Sequence, residues 1–140
     1  MWPSSGSVHD LCCGMGGDSF FIPNSLELTG IDMSEERLQM YAYNMQALNK
    51  KANTLNADVR NLTKTVPNAI ADFFTIDPAR RKLESENQRQ FENLTPSLQE
   101  VLEIAKSYKG GMVKLPPGYP VDEIPLDAEI IYLGSRQDCR

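Results

Sequence analysis

The segment Asp10–Ser19, DLCCGMGGDS, is the strongest indication of the fold in this sequence. It begins within the run Ser7–Cys12, whose composition predicts a short β-strand, and its glycines allow the chain to turn sharply and to approach a ligand closely. A strand, a glycine-rich turn and a helix open the βα unit of nucleotide-binding proteins. The helix, within Asp18–Ser25, should be short because Pro23 cannot continue it.

Strand and helix patterns alternate along the rest of the chain. Apolar residues recur at helical spacing from the N-cap Ser34 to about Asn49, which predicts a helix. The same spacing predicts a second helix, which begins with Thr95-Pro96 as its cap and first turn and is ended by Gly110-Gly111. Arg80–Asn93 has the polar composition of a surface loop or a solvated helix. The strand patterns are Leu26–Ile31, Asn53–Ala57, Ala71–Ile76, Met112–Leu115 and Ala128–Leu133. This alternation predicts an α/β fold, a Rossmann-like, mainly parallel sheet with helices on both faces.

The helix that follows Ser34 has one apolar face. The residues of this face are Leu38, Tyr41, Ala42, Met45 and Leu48. We expect the face to pack against the sheet, and Tyr43 is interpreted in the same way, so that none of these residues needs a ligand to explain it.

The length and composition of the chain fit one soluble domain. Its 140 residues match the size at which a single core forms, and 41% hydrophobic with 24% charged residues are typical of globular proteins. The longest apolar stretches fall well short of the ~20 residues that span a bilayer, and Met1–Ser7 does not resemble a signal peptide. We therefore expect one domain over residues 1–140, located in the cytoplasm without a membrane segment.

The net charge of −5 argues against a protein that grips nucleic acid through a broad basic face. A nucleic-acid substrate is still compatible with this charge, because a local cluster such as Arg80-Arg81-Lys82 can contact phosphates. The alternative interpretation of the cluster is a solvated loop.

The three cysteines and the single histidine do not form a reactive or metal-binding pattern. Cys12 and Cys13 are adjacent and Cys139 is near the far end, which matches neither a disulfide framework nor a CxxC site. A catalytic cysteine needs a base, and His9 lies in the predicted first strand, where a structural role is expected. We therefore expect free thiols, a structural histidine and no bound metal.

The glycine turn differs from the dinucleotide-binding fingerprint at two positions. Ser19 stands where the third glycine of GxGxxG would fall, and Asp10 lies four residues before the first glycine, Gly14. A carboxylate at Asp10 would repel a pyrophosphate, but it would attract a ligand with a cationic amino-acid end, directly or through water. These two residues argue against an NAD-type oxidoreductase.

Four acidic residues close successive predicted strands, namely Asp10, Asp32, Asp58 and Asp77. The carboxyl ends of parallel strands form the ligand-binding edge of an open α/β sheet. Asp32 follows Gly14 by eighteen positions, and an acid at that distance can accept hydrogen bonds from ribose hydroxyls. Asp58 could receive the exocyclic amine of an adenine. The series predicts a nucleoside site at this edge.

Four segments resemble the successive motifs of class I S-adenosylmethionine-dependent methyltransferases. These segments are DLCCGMGGDS, TGIDMSEERLQMYAYN, NADV and DFFTIDPARR. Within that superfamily, DPARR and the later VKLPPG are most similar to bacterial and archaeal methyltransferases that carry a THUMP-like domain. A more distant similarity links the chain to cap-guanine methyltransferases of the trimethylguanosine-synthase type. The resemblance covers roughly residues 7–135.

The resemblance implies S-adenosylmethionine as the cofactor and assigns roles to individual residues. The cofactor-binding residues would be Asp10, Gly14, Gly16 and Ser19 at the methionine moiety, Asp32 and Met33 at the ribose, and Asp58 and Val59 at the adenine. Asp77, Pro78 and Arg80 would form the catalytic region, where Asp77 orients the acceptor of the methyl group. The implied reaction is methyl transfer to a nitrogen, carbon or oxygen atom, with RNA as the expected substrate.

Departures from the family pattern leave a second hypothesis open. Asp77-Pro78-Ala79-Arg80 lacks the aromatic residue that stacks on the target base in many base-amine methyltransferases. We also expect a sheet truncated at its last strand, because the chain stops where an antiparallel seventh strand should begin. The alternative to an active enzyme is therefore a non-catalytic cofactor-binding module or an inactive remnant. An uncovered edge strand at Ala128–Leu133 would favour pairing across a homodimer.

Overall fold

Five parallel strands form the central sheet of the described part of the chain. A computed structural model describes residues 2–65, 71–80, 94–116, 118–125 and 127–132, except for the side chains of Thr63, Thr65 and Arg80. The strands are β1 (Ser7–Leu11), β2 (Glu27–Asp32), β3 (Ala52–Asn56), β4 (Phe73–Ile76), β5 (Ala79–Arg80), β6 (Leu94–Thr95) and β7 (Gly110–Val113). The sheet has the order β3-β2-β1-β4-β7, and β5 pairs separately with β6.

The order of the strands reverses between β1 and β4. β2 and β3 lie on one side of β1, whereas β4 and β7 lie on the other, and all neighbours are parallel. In an open α/β sheet such a reversal opens a crevice at the carboxyl ends of the two central strands, where ligands bind. The predicted Rossmann-like parallel sheet is confirmed, and its crevice lies next to the glycine turn that follows β1.

Helices pack on both faces of the sheet, as predicted. The helices are α1 (Glu35–Ala47), α2 (Leu62–Thr65) and α3 (Leu98–Ala105). α1 packs on one face through Leu38, Tyr41 and Met45, in a cluster with buried side chains of β1 and β2. Leu62 of α2 and Val101 of α3 pack on the other face, against side chains of the strands. Strand residues reach both faces because successive residues point to opposite sides of the sheet.

α1 begins where the sequence predicts, but its buried face is narrower than expected. Ser34 is the N-cap, and its hydroxyl accepts a hydrogen bond from the Arg37 amide at 3.3 Å. Ala42 and Leu48 are exposed, as is Tyr43, so the prediction that these three belong to the core face is wrong. Leu38, Tyr41 and Met45 are the residues of the predicted face that are buried.

α3 begins later than the sequence predicts. Its N-cap is Ser97, which forms a capping box with Glu100. Each of the two side chains accepts a hydrogen bond from the backbone amide of the other residue. The predicted cap, Thr95, lies instead in β6 and pairs with β5. The Gly110-Gly111 pair does not end the helix but forms part of β7, where the Phe74 ring occupies the space that a Cβ at residue 111 would need.

The prediction of a final strand at Ala128–Leu133 is wrong for the residues that the structure describes. Residues 128–132 form no strand, and Ile131 and Tyr132 are exposed. An apolar run forms a stable strand only where neighbouring strands pair with it, and β7 is the edge of the described sheet on this side. Leu133 lies outside the described residues. The predicted homodimer was based on a strand that residues 128–132 do not form. Dimerisation therefore stays a prediction, and light scattering would test it.

Two predicted connecting segments differ in how much of them the structure describes. Asp18–Ser25 forms only a 3₁₀ helix (Ser19–Phe21), since Pro23 prevents its continuation. Of the predicted loop or solvated helix Arg80–Asn93, only Arg80 is described, and it belongs to β5; residues 81–93 lie outside the described ranges. Among the described residues, no helix combines the length and the apolar composition that a membrane crossing requires.

Candidate functional site

The turn after β1 is held by backbone hydrogen bonds and contains residues with positive φ. The Cys13 amide donates to the Ile31 carbonyl at 3.0 Å, which ties the turn to β2, and the Gly16 amide donates to the Cys13 carbonyl at 2.9 Å. The φ angle is +60° at Cys12, +51° at Gly14 and +93° at Gly16. Glycine adopts this left-handed region without strain, so the backbone itself favours glycine at positions 14 and 16.

The glycines of this turn face two different environments. A Cβ at Gly16 would lie 2.6 Å from Met45 Cε and 3.0 Å from the Tyr41 ring, so glycine there allows the turn to pack against α1. A Cβ at Gly14 or Gly17 would meet no described atom within 4 Å beyond its chain neighbours. The turn therefore presents its backbone at Gly14 and Gly17 to open space that a ligand can occupy.

Asp10 provides a buried carboxylate beneath this turn. It is only 2% exposed, and its Oδ2 accepts a hydrogen bond from the Ser19 hydroxyl at 2.6 Å. Burial raises the pKa of Asp10 to about 6, although the Ser19 hydrogen bond opposes this rise; the nearby Asp18 carboxylate adds to it. A cation bound beside Asp10 would offset the cost of ionising this carboxylate in its buried position.

Tyr41 connects α1 to the buried carboxylate. Its hydroxyl lies 2.8 Å from Ser19 Oγ, and Ser19 donates its one proton to Asp10. When Asp10 is ionised, Tyr41 is therefore the donor to Ser19, and the hydrogen bonds run from Tyr41 through Ser19 to Asp10. Burial raises the pKa of Tyr41, so its hydroxyl keeps its proton while Asp10 titrates.

The polar role of Tyr41 is the part of this network that sequence reasoning missed. Its predicted place in the core is confirmed, since the side chain is fully buried. The signal lay in the residue type, because a buried tyrosine hydroxyl needs a hydrogen-bond partner that Phe or Leu would not need. A second signal was Gly30 inside β2, where a Cβ would lie 2.5 Å from Tyr41 Cζ.

Asp32, the last residue of β2, holds the glycine turn and the start of α1 together. It is buried, and its Oδ2 accepts a hydrogen bond from the Gly14 amide at 3.0 Å while its Oδ1 accepts one from the Ser34 amide at 2.9 Å. A carboxylate has about four acceptor positions, so these two amides leave both oxygens able to accept again. This capacity matches the two hydroxyls of a ribose.

Asp58 follows β3 and is already paired with a cation. It is the N-cap of a 3₁₀ helix (Val59–Asn61), and its carboxylate accepts hydrogen bonds from the amide and the guanidinium of Arg60, the shortest at 2.6 Å. These hydrogen bonds lower the pKa of Asp58. Val59 is buried, whereas Met33, after β2, is exposed. Met33, which was predicted at the ribose, thus follows β2 at the carboxyl edge, and Asp58 and Val59, which were predicted at the adenine, follow β3 there.

The predicted catalytic segment follows β4 at the opposite side of the crevice. Asp77 has a side chain that is 48% exposed, and Pro78 beside it is buried. Asp77 Oδ2 lies 3.3 Å from Lys114 Nζ, which in turn lies 2.6 Å from Asp18 Oδ1. The backbone of Arg80 lies in β5, and its side chain is outside the described part. The structure thus connects Asp77 to the glycine turn through Lys114.

The cysteines of the turn do not have the properties of nucleophiles. Cys12 and Cys13 are free thiols, and burial raises the pKa of Cys12 to about 12 and also raises that of Cys13. His9 has the structural contact expected of it, since its Nδ1 lies 2.9 Å from the Tyr108 hydroxyl. Cys139 lies outside the described residues. Within the described ranges, no three or more His, Cys, Asp or Glu side chains are grouped as metal ligands.

Solved structures with a similar fold include methyltransferases. An rRNA methylase from Streptococcus thermophilus aligns with a TM-score of 0.54 and 16% identity over 85% of this chain and 64% of its own. An S-adenosylmethionine-dependent methyltransferase from Clostridium acetobutylicum ATCC 824 aligns with a TM-score of 0.51 and 20% identity over 74% of this chain and 38% of its own. The fold is that of S-adenosylmethionine-dependent methyltransferases. The PH0226 protein from Pyrococcus horikoshii OT3 also aligns, with a TM-score of 0.50 and 22% identity over 73% of this chain and 42% of its own.

The comparisons establish the fold and do not extend to the sequence family. No family model matches the chain, and no curated protein matches it. The chain spans between 38% and 64% of the length of the three solved proteins. In this methyltransferase fold, the turn after β1 and the ends of β2, β3 and β4 bring the predicted site residues to one edge of the sheet.

Proposed function

We propose that this chain binds S-adenosylmethionine at the carboxyl edge of the sheet and forms the cofactor-binding core of a methyltransferase. The observation that carries the proposal is the buried Asp10 carboxylate beneath a glycine turn whose other side is held by the Asp32 carboxylate. The cofactor has a cationic amino-acid end and a ribose, and the two carboxylates match these two features. The methyltransferase fold supports the same assignment.

The two carboxylates suit different parts of the cofactor. Asp10 would interact with the ammonium group, directly or through water, because a cation favours the ionised form of a buried acid. Asp32 would accept hydrogen bonds from the ribose hydroxyls while keeping its contacts with the Gly14 and Ser34 amides. The open space beside Gly14 and Gly17 would allow the close approach of the cofactor to the backbone.

The remaining predicted contacts complete the same site. Gly16 would support the methionine moiety through its packing against α1, and Ser19 through its hydrogen bond to Asp10. Met33 would lie beside the ribose, and Asp58 and Val59 would contact the adenine. Both carboxylate oxygens of Asp58 already accept hydrogen bonds from Arg60, so the exocyclic amine of the adenine would donate to an oxygen that Arg60 also contacts.

Asp77 is the residue that we propose for orienting the acceptor. S-adenosylmethionine supplies a methyl group on its sulfonium sulfur, and the reaction is an in-line displacement in which the protein chiefly positions the acceptor. Asp77 is half exposed at the crevice, where its carboxylate would accept a hydrogen bond from the acceptor. Pro78 fixes the backbone directly after it, because its ring restricts φ.

RNA is the acceptor that we propose. The rRNA methylase from Streptococcus thermophilus aligns over 85% of the chain, which supports this choice. The net charge of −5 requires the phosphate contacts to be local, and Arg80-Arg81-Lys82 follows Asp77 closely in the sequence. The segments DPARR and VKLPPG support a closer relationship to bacterial and archaeal methyltransferases with a THUMP-like domain. We also propose that the chain is located in the cytoplasm.

A non-catalytic cofactor-binding module is the second candidate. Asp77-Pro78-Ala79-Arg80 has no aromatic residue to stack on a base, which favours binding of the cofactor without transfer. The two candidates share the cofactor site and differ only in what happens at Asp77.

A labelling experiment separates the candidates. The protein is incubated with S-adenosylmethionine labelled in its methyl group and with separate pools of cellular RNA, protein and small molecules. We expect label in the RNA pool, its loss in Asp77→Ala, and no loss in Glu27→Ala, which removes an exposed acid at the amino end of β2. Binding of S-adenosylhomocysteine without labelling of any pool would favour the module, and no binding at all would contradict both.

A further inference from the structure

Lys114 connects the two sides of the crevice. It is the residue after β7, and its amide donates to the Ile76 carbonyl at 2.9 Å, which fixes its backbone directly beside Asp77. Its Nζ lies 2.6 Å from Asp18 Oδ1 and 3.3 Å from Asp77 Oδ2. The glycine turn and the end of β4, which are far apart in the sequence, therefore meet at one ammonium group.

The two contacts of Lys114 are unequal. The Asp18 side chain is 25% exposed and the Asp77 side chain 48%. The shorter and more buried contact with Asp18 anchors the ammonium group, and the Asp18 hydrogen bond is also the main reason that the pKa of Lys114 is raised. An acceptor can therefore hydrogen-bond to Asp77 while Lys114 stays paired with Asp18.

This arrangement contributes to geometry more than to stability. Solvent screens ion pairs that are this exposed, and the ordering of the long lysine side chain opposes their formation. The backbone of Lys114 is fixed by the sheet whatever its side chain is. Removing the charge should leave the fold intact and release the Asp77 carboxylate from its orientation.

We propose that Lys114 is a positioning residue, which fixes the Asp77 carboxylate relative to the glycine turn by anchoring it to Asp18. The inference rests on the proposed methyl transfer, in which Asp77 orients the acceptor. Displacement requires the acceptor in line with the methyl group, and a carboxylate free to rotate would place fewer acceptors in that position. Lys114 acts through Asp77 and takes no part in bond formation.

Three variants test this role. Lys114→Met keeps much of the side-chain length and removes the charge, whereas Lys114→Arg keeps a cation. Lys106→Met is the matched control, because Lys106 is also an exposed lysine that pairs with an acid, Glu103. Lys106 follows α3 and precedes the amino end of β7, whereas Lys114 follows the carboxyl end of that strand. The measurements are the melting temperature, the Kd for S-adenosylhomocysteine, and the rate of methyl transfer to the RNA pool.

The expected result is a loss of rate without a loss of fold or of cofactor binding. Lys114→Met should lower kcat by about tenfold or more, with the KM for S-adenosylmethionine and the melting temperature near those of the wild type. Lys114→Arg should recover most of the rate, and Lys106→Met should match the wild type. Equal rates in Lys114→Met and Lys106→Met would overturn the proposal, as would a loss explained by unfolding.

NMR of the aspartate side-chain carboxyl carbons tests the bridge independently of catalysis. In the free protein, the Asp77 and Asp18 resonances should both shift in Lys114→Met and stay unchanged in Lys106→Met. An unchanged Asp77 resonance in Lys114→Met would overturn the positioning role, whatever the activity. If these resonances respond but the wild type methylates none of the pools, the bridge stands and the proposed methyl transfer fails.

Discussion

The two sides of the crevice differ in how firmly their carboxylates are held. At the glycine turn, Asp10 and Asp32 are buried and accept hydrogen bonds from a hydroxyl and from backbone amides. At the end of β4, Asp77 is half exposed and has a single side-chain contact in the described part of the chain at 3.3 Å, with the Lys114 ammonium group. The fold therefore preorganises the half of the site proposed for the cofactor, whereas the half proposed for the acceptor stays accessible to a second molecule.

Replacing Gly16 by Ala should break the firmly held side most strongly. Its φ of +93° and the contacts that a Cβ would make with Met45 and Tyr41 predict a loss of about 2–4 kcal/mol in the free energy of unfolding. Gly17→Ala is the control, because its Cβ would enter open space, and it should stay within about 0.5 kcal/mol of the wild type. Urea denaturation measures both, and equal losses would mean that the turn does not depend on packing against α1.

The pH dependence of stability tests how deeply Asp10 is held. Its pKa of about 6 lies above the ordinary value of 3.8, so the folded state disfavours the ionised form. The stability contributed by Asp10 is therefore fully present below about pH 4 and is lost as the pH rises through about 6. Compared with Asp10→Asn, the wild type should lose up to about 3 kcal/mol between about pH 4 and pH 7.

Urea denaturation at a series of pH values gives this difference directly. Curves for the wild type and Asp10→Asn that run parallel from pH 4 to pH 7 would contradict the burial of an ionisable Asp10. Saturating S-adenosylhomocysteine should reduce the difference, because its ammonium group would favour the ionised carboxylate.

Asp32→Ala should weaken both the proposed cofactor contact and the turn. The lost hydrogen bonds to ribose hydroxyls predict a decrease of roughly 1.5–3 kcal/mol in the binding free energy of S-adenosylhomocysteine. The free energy of unfolding should fall by about 1–2 kcal/mol, since the Gly14 and Ser34 amides lose their acceptor. Calorimetric titration and urea denaturation measure the two effects against Glu27→Ala, which changes the exposed first residue of the same strand. Unchanged affinity in Asp32→Ala would place the ribose elsewhere.

Tyr41→Phe should produce the smallest of these effects. It removes the hydroxyl that contacts Ser19 and keeps the ring that covers Gly30, so we expect a loss of about 1 kcal/mol in the free energy of unfolding. Tyr43→Phe alters an exposed tyrosine of the same helix and should leave stability unchanged. If the two variants have the same stability, the hydroxyl of Tyr41 does not support the buried carboxylate.

Local signals in the sequence predicted the firmly held side well. The glycine turn, the strand that ends at Asp32 and the helix cap at Ser34 each depend on neighbouring residues, and all three are confirmed. The prediction of a strand at 128–133 was wrong for the described residues 128–132, because an apolar pattern does not reveal whether a neighbouring strand is present to pair with it.

Sequence patterns did not predict the contacts between segments that are distant in the chain. Lys114 pairs with Asp18 across 96 positions of the chain, and Tyr41 meets Ser19 across 22. Neither pair has a spacing that marks it in advance, because the sheet order alone brings the segments together. For the same reason the sequence predicted which acids lie at the edge of the sheet, but not which groups hold them there.

Calorimetric titration with S-adenosylhomocysteine measures whether the turn between Asp10 and Asp32 is a cofactor site. This ligand keeps the amino-acid end and the ribose but has no methyl group to transfer, so binding is measured without reaction. We expect saturable binding to the wild type, binding at least about tenfold weaker to Asp32→Ala, and no binding of NAD under the same conditions. Binding of NAD without binding of S-adenosylhomocysteine would contradict the account.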